Sequence, residues 1–183
     1  MKGLRDCIVS FIDLNNIGNI LSQRSKKGVR IMHGLHQLVS KHAHALTAHE
    51  EVCFWQDSVL LLAFVDERAE SFSRVMDDVK RLKEAIEGLH SCHAVCVKGQ
   101  AFPAPAVRSR KAKPRAIYLS ASSLAFSNCF KIEHELKKYR ADWYIDSRIT
   151  TKVNTRKPDH SVPVKLLPKN LPRTIHVFKN SFL

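Results

Sequence analysis

Two aspartates carry the first chemical signal in this sequence. Asp13 closes the run Asp6-Cys-Ile-Val-Ser-Phe-Ile-Asp13, and Asp57 stands between Glu51-Val-Cys-Phe-Trp55 and Ser58-Val-Leu-Leu-Leu-Ala-Phe-Val65. If their strands pair as neighbours, both carboxylates meet at one end of a sheet. With a backbone carbonyl and phosphate oxygens they would form a hard-oxygen site suited to Mg2+ or Mn2+. Two such ions can activate an attacking hydroxyl and stabilise phosphate charge during in-line displacement. Asn15, Asn16, Ile17 and Gly18 follow directly. A helix starting there would aim free N–H groups at the same spot, as a phosphate cradle. The same residues also admit a purely structural reading, in which Asp13 caps the helix and Asp57 turns a hairpin.

The elements around them can be read from periodicity. The run over 6–13 predicts a strand buried on both faces. From Asn15 to about residue 48, Ile20, Leu21, Val29, Met32, Leu35, Leu38 and Val39 recur at helical spacing, with a break near Ser25-Lys26-Lys27-Gly28. Segments 51–55 and 58–65, joined by so short a turn, predict a β-hairpin with Asp57 at its tip. An amphipathic helix is expected over 68–89, with Phe72, Val75, Met76, Val79, Leu82 and Ile86 on one face. A strand over His93–Phe102, a short apolar piece over 116–119, a helix over 121–138 and a strand over Trp143–Asp146 follow. The tail from 150 contains Pro158, Pro163, Pro168 and Pro172, so extended chain is expected, with Thr174–Phe178 as an edge strand. This order implies an α/β (α+β) sandwich: a ferredoxin-like βαββαβ core with helices packed on a mixed sheet.

Composition sets the bounds. A chain of 183 residues, 44% hydrophobic, can bury one sizeable core. No run of about 18 apolar residues suggests a transmembrane helix. The start of the chain resembles no signal peptide, and the five cysteines sit mostly in apolar runs, as reduced thiols do. A cytoplasmic protein is expected. The formal charge of +13 predicts attraction to polyanions without choosing among nucleic acid, nucleoside triphosphate and acidic membrane.

Phe11-Ile-Asp13-Leu-Asn-Asn-Ile-Gly18, with the later Gln56-Asp57-Ser58-Val59, resembles the paired metal motifs of the class III nucleotidyl cyclases. Ala125-Phe-Ser-Asn-Cys-Phe-Lys-Ile-Glu133 is similar to that family's catalytic-helix motif, an Asn followed four residues on by an Arg. Without gaps, Ser127 takes the Asn position and Lys131 the Arg position. The resemblance spans residues 6–147 and implies a catalytic domain over 1–149, with 150–183 as a basic extension packed on it. It further implies a head-to-tail homodimer with the active sites in the interface. One protomer would supply Asp13, Leu14 and Asp57 to two Mn2+ or Mg2+ ions, and the other Ser127 and Lys131. The ribose 3′-hydroxyl of a nucleoside triphosphate would attack its α-phosphate, giving a 3′,5′-cyclic nucleotide and pyrophosphate. Purine cyclases of the family read the base with a Lys before the second Asp and an Asp before the catalytic helix. Here residues 42–56 hold no Lys, and Ser120 stands at the second position. In this the chain resembles the small Pycsar pyrimidine cyclases of bacterial antiphage defence. UTP is the favoured substrate, and a downstream cyclic-nucleotide effector is implied.

Phe11–Asn16 also resembles the first metal motif of diguanylate cyclases, but their paired glycines and glutamate are absent around Gln56-Asp57-Ser58. A basic nucleic-acid-binding module or an inactive cyclase-like domain is the alternative, but the aromatic ladder of a single-strand binder is missing. His90, Cys92, His93 and Cys96 alternate faces of one short stretch and should not converge on zinc. His42, His44 and His49 read as a solvated helix end. Arg108, Arg110, Lys111, Lys113 and Arg115 read as a solvated loop that could also close over a triphosphate.

Overall fold

The computed structural model describes residues 3–23, 26–43, 45–46, 51–101, 124–169 and 171–183. Strand β1 (Arg5–Leu14) leads into helices α1 (Ile17–Ser22) and α2 (Lys26–Ala43), and then into the hairpin of β2 (Glu51–Trp55) and β3 (Ser58–Phe64). Helix α3 (Ala69–Glu87), β4 (Cys92–Ala101), α4 (Leu124–Leu136), β5 (Trp143–Asp146) and the single turn α5 (Ser147–Thr150) follow. Strands β6 (His160–Leu166) and β7 (Leu171–Phe178) end the chain. The seven strands form one sheet in the order β2-β3-β1-β4-β5-β7-β6, antiparallel except where β4 meets β5. The first four strands thus have the ferredoxin-like order that the alternation of elements predicts.

Strand β1 is apolar on both faces because helices cover both. Ile8 and Ile12 point into the layer formed with Leu35, Val39, Phe72, Val75 and Val79. Cys7, Val9 and Phe11 point the other way, toward Cys129, Ile132 and Leu136 of α4. The six apolar residues read as one face of α3 are all buried. Each buried side chain of this kind contributes on the order of 1.5–3 kcal/mol.

Helix α4 lies close on β4 because residue 99 has no side chain. A Cβ at Gly99 would fall 2.4 Å from that of Ala125. This contact sets the height of α4 over the sheet.

The tail differs from expectation. Thr174–Phe178 belongs to β7, which is interior, between β5 and β6. β6 takes the edge instead, where Pro163 can sit with no donor to offer. Pro163, Pro168 and Pro172 therefore fall within a hairpin at the rim of the sheet. Fully buried Asp146 anchors this region, accepting from Arg173 at 3.0 Å and pairing with Arg148 at 3.2 Å.

Candidate active site

β1 runs between β3 and β4, and at its C-terminal end Asp13 pairs with Ser58 on one side and His93 on the other. All three lie on the α4 face of the sheet, in step with Phe11, Leu60 and Val95. The Ser58 hydroxyl donates to Asp13 Oδ1 at 2.5 Å. Asp57 is the next residue along, in the two-residue turn Gln56-Asp57, where Gln56 takes φ 56°. The hairpin places Asp57 in its turn as expected, at the same end of the sheet as Asp13 and near enough for its charge to act on the Asp13 carboxyl.

Electrostatics mark this spot as wanting positive charge. Burial pushes the Asp13 carboxyl up to about 6; the Ser58 hydrogen bond opposes this, and the Asp57 and Glu133 charges add to it. Asp13 does not cap a helix. The residue before α1 is Asn16, left-handed at φ 58°, and its side chain makes no capping hydrogen bond. A half-buried carboxylate with a second one beside it is the donor set of a hard divalent ion. The Asp13 and Asp57 carboxylates have the oxygen chemistry and the charge that such an ion takes.

Asn15 is tied into the site rather than left open. Its N–H donates to Ser91 O at 2.9 Å, its carbonyl meets His90 Nε2 at 2.8 Å, and its Oδ1 meets His93 Nδ1 at 2.8 Å. Ile17 is fully buried and serves the core. Asn15 and Asn16 line a cleft of about 700 Å³ together with Asp13, His93, Tyr144 and the basic residues Lys137, Lys138 and Arg140. A cleft lined by both a carboxylate and basic side chains is complementary to a metal-bound polyphosphate.

No family model and no curated protein matches this sequence. Solved structures do. A bacterial light-regulated adenylyl cyclase superposes with TM-score 0.62 at 10% identity, over 96% of this chain and 91% of that one. The adenylyl cyclase CyaB from P. aeruginosa gives 0.60 at 10% identity, over 98% and 96%. The guanylate cyclase domain of RhGC from Catenaria anguillulae, in complex with GTP, gives 0.56 at 13%, over 98% and 100%. The chain has the nucleotide-cyclase fold.

Within this cyclase fold, Ser127 and Lys131 are not gathered to Asp13. Ser127 is exposed on α4, and Lys131 points toward Glu135 at 4.0 Å. Two residues further along α4, Glu133 turns to the opposite side, and there it approaches Asp13 and His93. Sequence reading missed Glu133, although it closes the quoted helix motif, and it set His93 aside with its neighbours. His90, Cys92, His93 and Cys96 do not converge, as expected: Cys92 and Cys96 face the helix layer of α2 and α3, where burial pushes both thiols up to about 12. His44, His49, the basic loop 108–115, the piece 116–119 and Ser120 lie outside the described residues.

Proposed function

We propose that this chain is a metal-dependent nucleotide cyclase, working as a homodimer with its active sites in the interface. The observation that carries the reading is Asp13 at the end of β1 with the Asp57 turn at the end of the neighbouring strand, and Asp13 lining a cleft that also holds Lys137, Lys138 and Arg140. Asp13, Asp57 and the Leu14 carbonyl would hold two Mn2+ or Mg2+ ions. When bound, such ions lower the pKa of a coordinated ribose hydroxyl and neutralise α-phosphate charge. Lys137, Lys138 and Arg140 would bind the polyphosphate chain as point charges and a fork. Asn15 and Asn16 shape the floor against which the nucleotide lies. The outward position of Ser127 and Lys131 on α4 suits contribution to a second copy's site, where the Lys131 cation would stabilise charge on the transferring phosphate.

Residues 1–149 would form the catalytic domain and 150–183 an extension of it. The lack of a Lys over 42–56 favours a pyrimidine, UTP first, and hence cyclic UMP as product, read by a separate effector in antiphage defence. No helix among the described residues is long and apolar enough to cross a membrane, which agrees with a cytoplasmic location. The test is to incubate purified protein with each NTP and Mn2+ and resolve the products by mass spectrometry. A cyclic nucleotide that disappears in Asp57→Ala supports the reading. No cyclic product from any NTP overturns it, and salt-sensitive RNA binding in its place would favour a binding module.

A further inference from the structure

The cyclase reading needs only oxygen ligands at Asp13, yet the side chains packed around it include a nitrogen. We propose that Asp13, His93 and Glu133 of one chain form a cation site that takes a first-row transition ion such as Mn2+ in preference to Mg2+. The proposal rests on the reading of Asp13 as a metal ligand and adds two ligands that the reading does not use.

Three observations support it. One ligand atom from each of the three side chains lies within 4.8 Å of the others. An ion bound at about 2.0–2.2 Å from each atom needs them about 3–4.3 Å apart, a change that small side-chain rotations supply. Second, the His93 ring is already oriented. Its Nδ1 lies 2.8 Å from Asn15 Oδ1, which can only accept, so Nδ1 carries the proton. The lone pair is then on Nε2, the atom turned toward Glu133 at 3.8 Å. This is the second-shell arrangement that fixes a ligating histidine. The ring is also buried and stands edge-on to Tyr144, with centroids 5.9 Å apart. Third, Glu133 Oε1 is buried and makes no well-formed hydrogen bond.

Lys137 Nζ lies 3.1 Å from that same oxygen, in poor hydrogen-bond geometry, and its side chain is 70% exposed. Being mostly in water already, it can swing away from Glu133 as an ion enters. An imidazole nitrogen in the set favours Mn2+ and its neighbours in the row, whereas Mg2+ prefers an all-oxygen octahedron.

The probe is Mn2+ alone, titrated into chelator-stripped full-length protein without nucleotide. Free ion is followed by continuous-wave EPR, and bound ion by pulsed EPR for coupling to imidazole nitrogen. Wild type is expected to show nitrogen coupling and to bind Mn2+ more tightly than Mg2+. His93→Gln should lose the coupling and weaken Mn2+ binding by about 10–100-fold, Glu133→Gln should weaken it similarly, and Lys137→Met should tighten it. Thermal melts identify any variant that fails to fold, and Glu133→Gln lies on a partly exposed helix position that tolerates the change. Mn2+ bound without nitrogen coupling, or Glu133→Gln binding as wild type does, would overturn the site. Nitrogen coupling in a protein that makes no cyclic nucleotide would support the site and overturn only the cyclase reading.

Discussion

Asp13 and His93 are direct partners across the β1–β4 pair, and Ser58 meets Asp13 from the other side. The three side chains form a row across three strands, placed by backbone register rather than by loop geometry. Sites on rigid elements of this kind keep their shape without a ligand. Burial disfavours the charged form of both groups, raising the Asp13 carboxyl to about 6 and lowering the His93 imidazolium to about 4. At neutral pH the row presents a strained carboxylate beside a neutral imidazole, with Asp57 and Glu133 nearby.

In metal-free protein, therefore, Asp13 should oppose folding. An unfolded Asp13 loses its proton near 3.8, whereas the folded one keeps it to about 6. Between those values the folded state binds more protons, so stability falls as pH rises through the window and the penalty is complete above it. Asp13→Asn should stabilise the chelated protein at pH 7.5 by up to about 3 kcal/mol, or roughly 5–10 °C in Tm. The gain should vanish below pH 4, and cyclase activity should be lost. Calorimetry at pH 4 and pH 7.5 on both proteins measures the difference and cancels the opposite contribution of His93. A variant no more stable than wild type at pH 7.5 would show that Asp13 is not strained.

Ser58 holds that carboxylate. Its hydroxyl is the donor that opposes the upward shift, so Ser58→Ala should leave Asp13 harder to ionise. Losing a hydrogen bond to a charged group costs about 1.5–3 kcal/mol at pH 7.5. The loss should shrink at pH 5, where the Asp13 proton is retained and the acceptor is neutral. Urea unfolding at the two pH values reads the difference directly. Equal loss at both would assign Ser58 a packing role instead.

The sequence made some of this legible and hid the rest for physical reasons. β1, the Gln56-Asp57 hairpin and the apolar face of α3 follow from local period, and period is written in neighbouring residues. Which strand lies beside which is a non-local matter, yet the βαββ order restricts it enough to bring Asp13 and Asp57 together. His93 was grouped with Cys92 and Cys96, its neighbours in sequence, but its neighbours in space are Asp13 and Glu133. Nothing local fixes the β1–β4 register that pairs it with Asp13. The tail was read as extended because its prolines are poor strand formers, and their tolerance at an edge depends on the finished sheet. Ser127 and Lys131 are on the helix that the motif indicated, but their role depends on a second chain.

Gly99 couples the fold to the site. A methyl group there would meet Ala125 Cβ at 2.4 Å, so α4 would have to move. Gly99→Ala should destabilise the protein by about 1–3 kcal/mol through overpacking. Because α4 carries Glu133, Mn2+ binding should weaken as well, although residue 99 is remote from the ion. Ala125→Gly in the same chain should restore both, since it removes the methyl that clashes. Failure of the double variant to recover would mean that the close approach at Gly99 does not set the helix position.

A shared active site makes a prediction that no single-chain site can meet. Asp57→Ala removes a residue from the metal half and Lys131→Ala one from the α4 half, so each homodimer should be inactive at both of its sites. In a mixed dimer one site collects both lesions and the other collects neither. Equal mixing with free exchange makes about half of the dimers mixed, each with one of two sites intact, so about a quarter of wild-type activity should return. Chains co-expressed with different affinity tags can be assayed for cyclic nucleotide as the mixture, beside each parent, and as purified mixed dimers, for which about half of wild-type activity is expected. Recovery from two inactive parents requires that Lys131 act on the Asp57 of a second copy. Mixtures as inactive as their parents, from dimers shown to exchange, would mean that one chain supplies both Asp57 and Lys131 to a site or that Lys131 lies outside it.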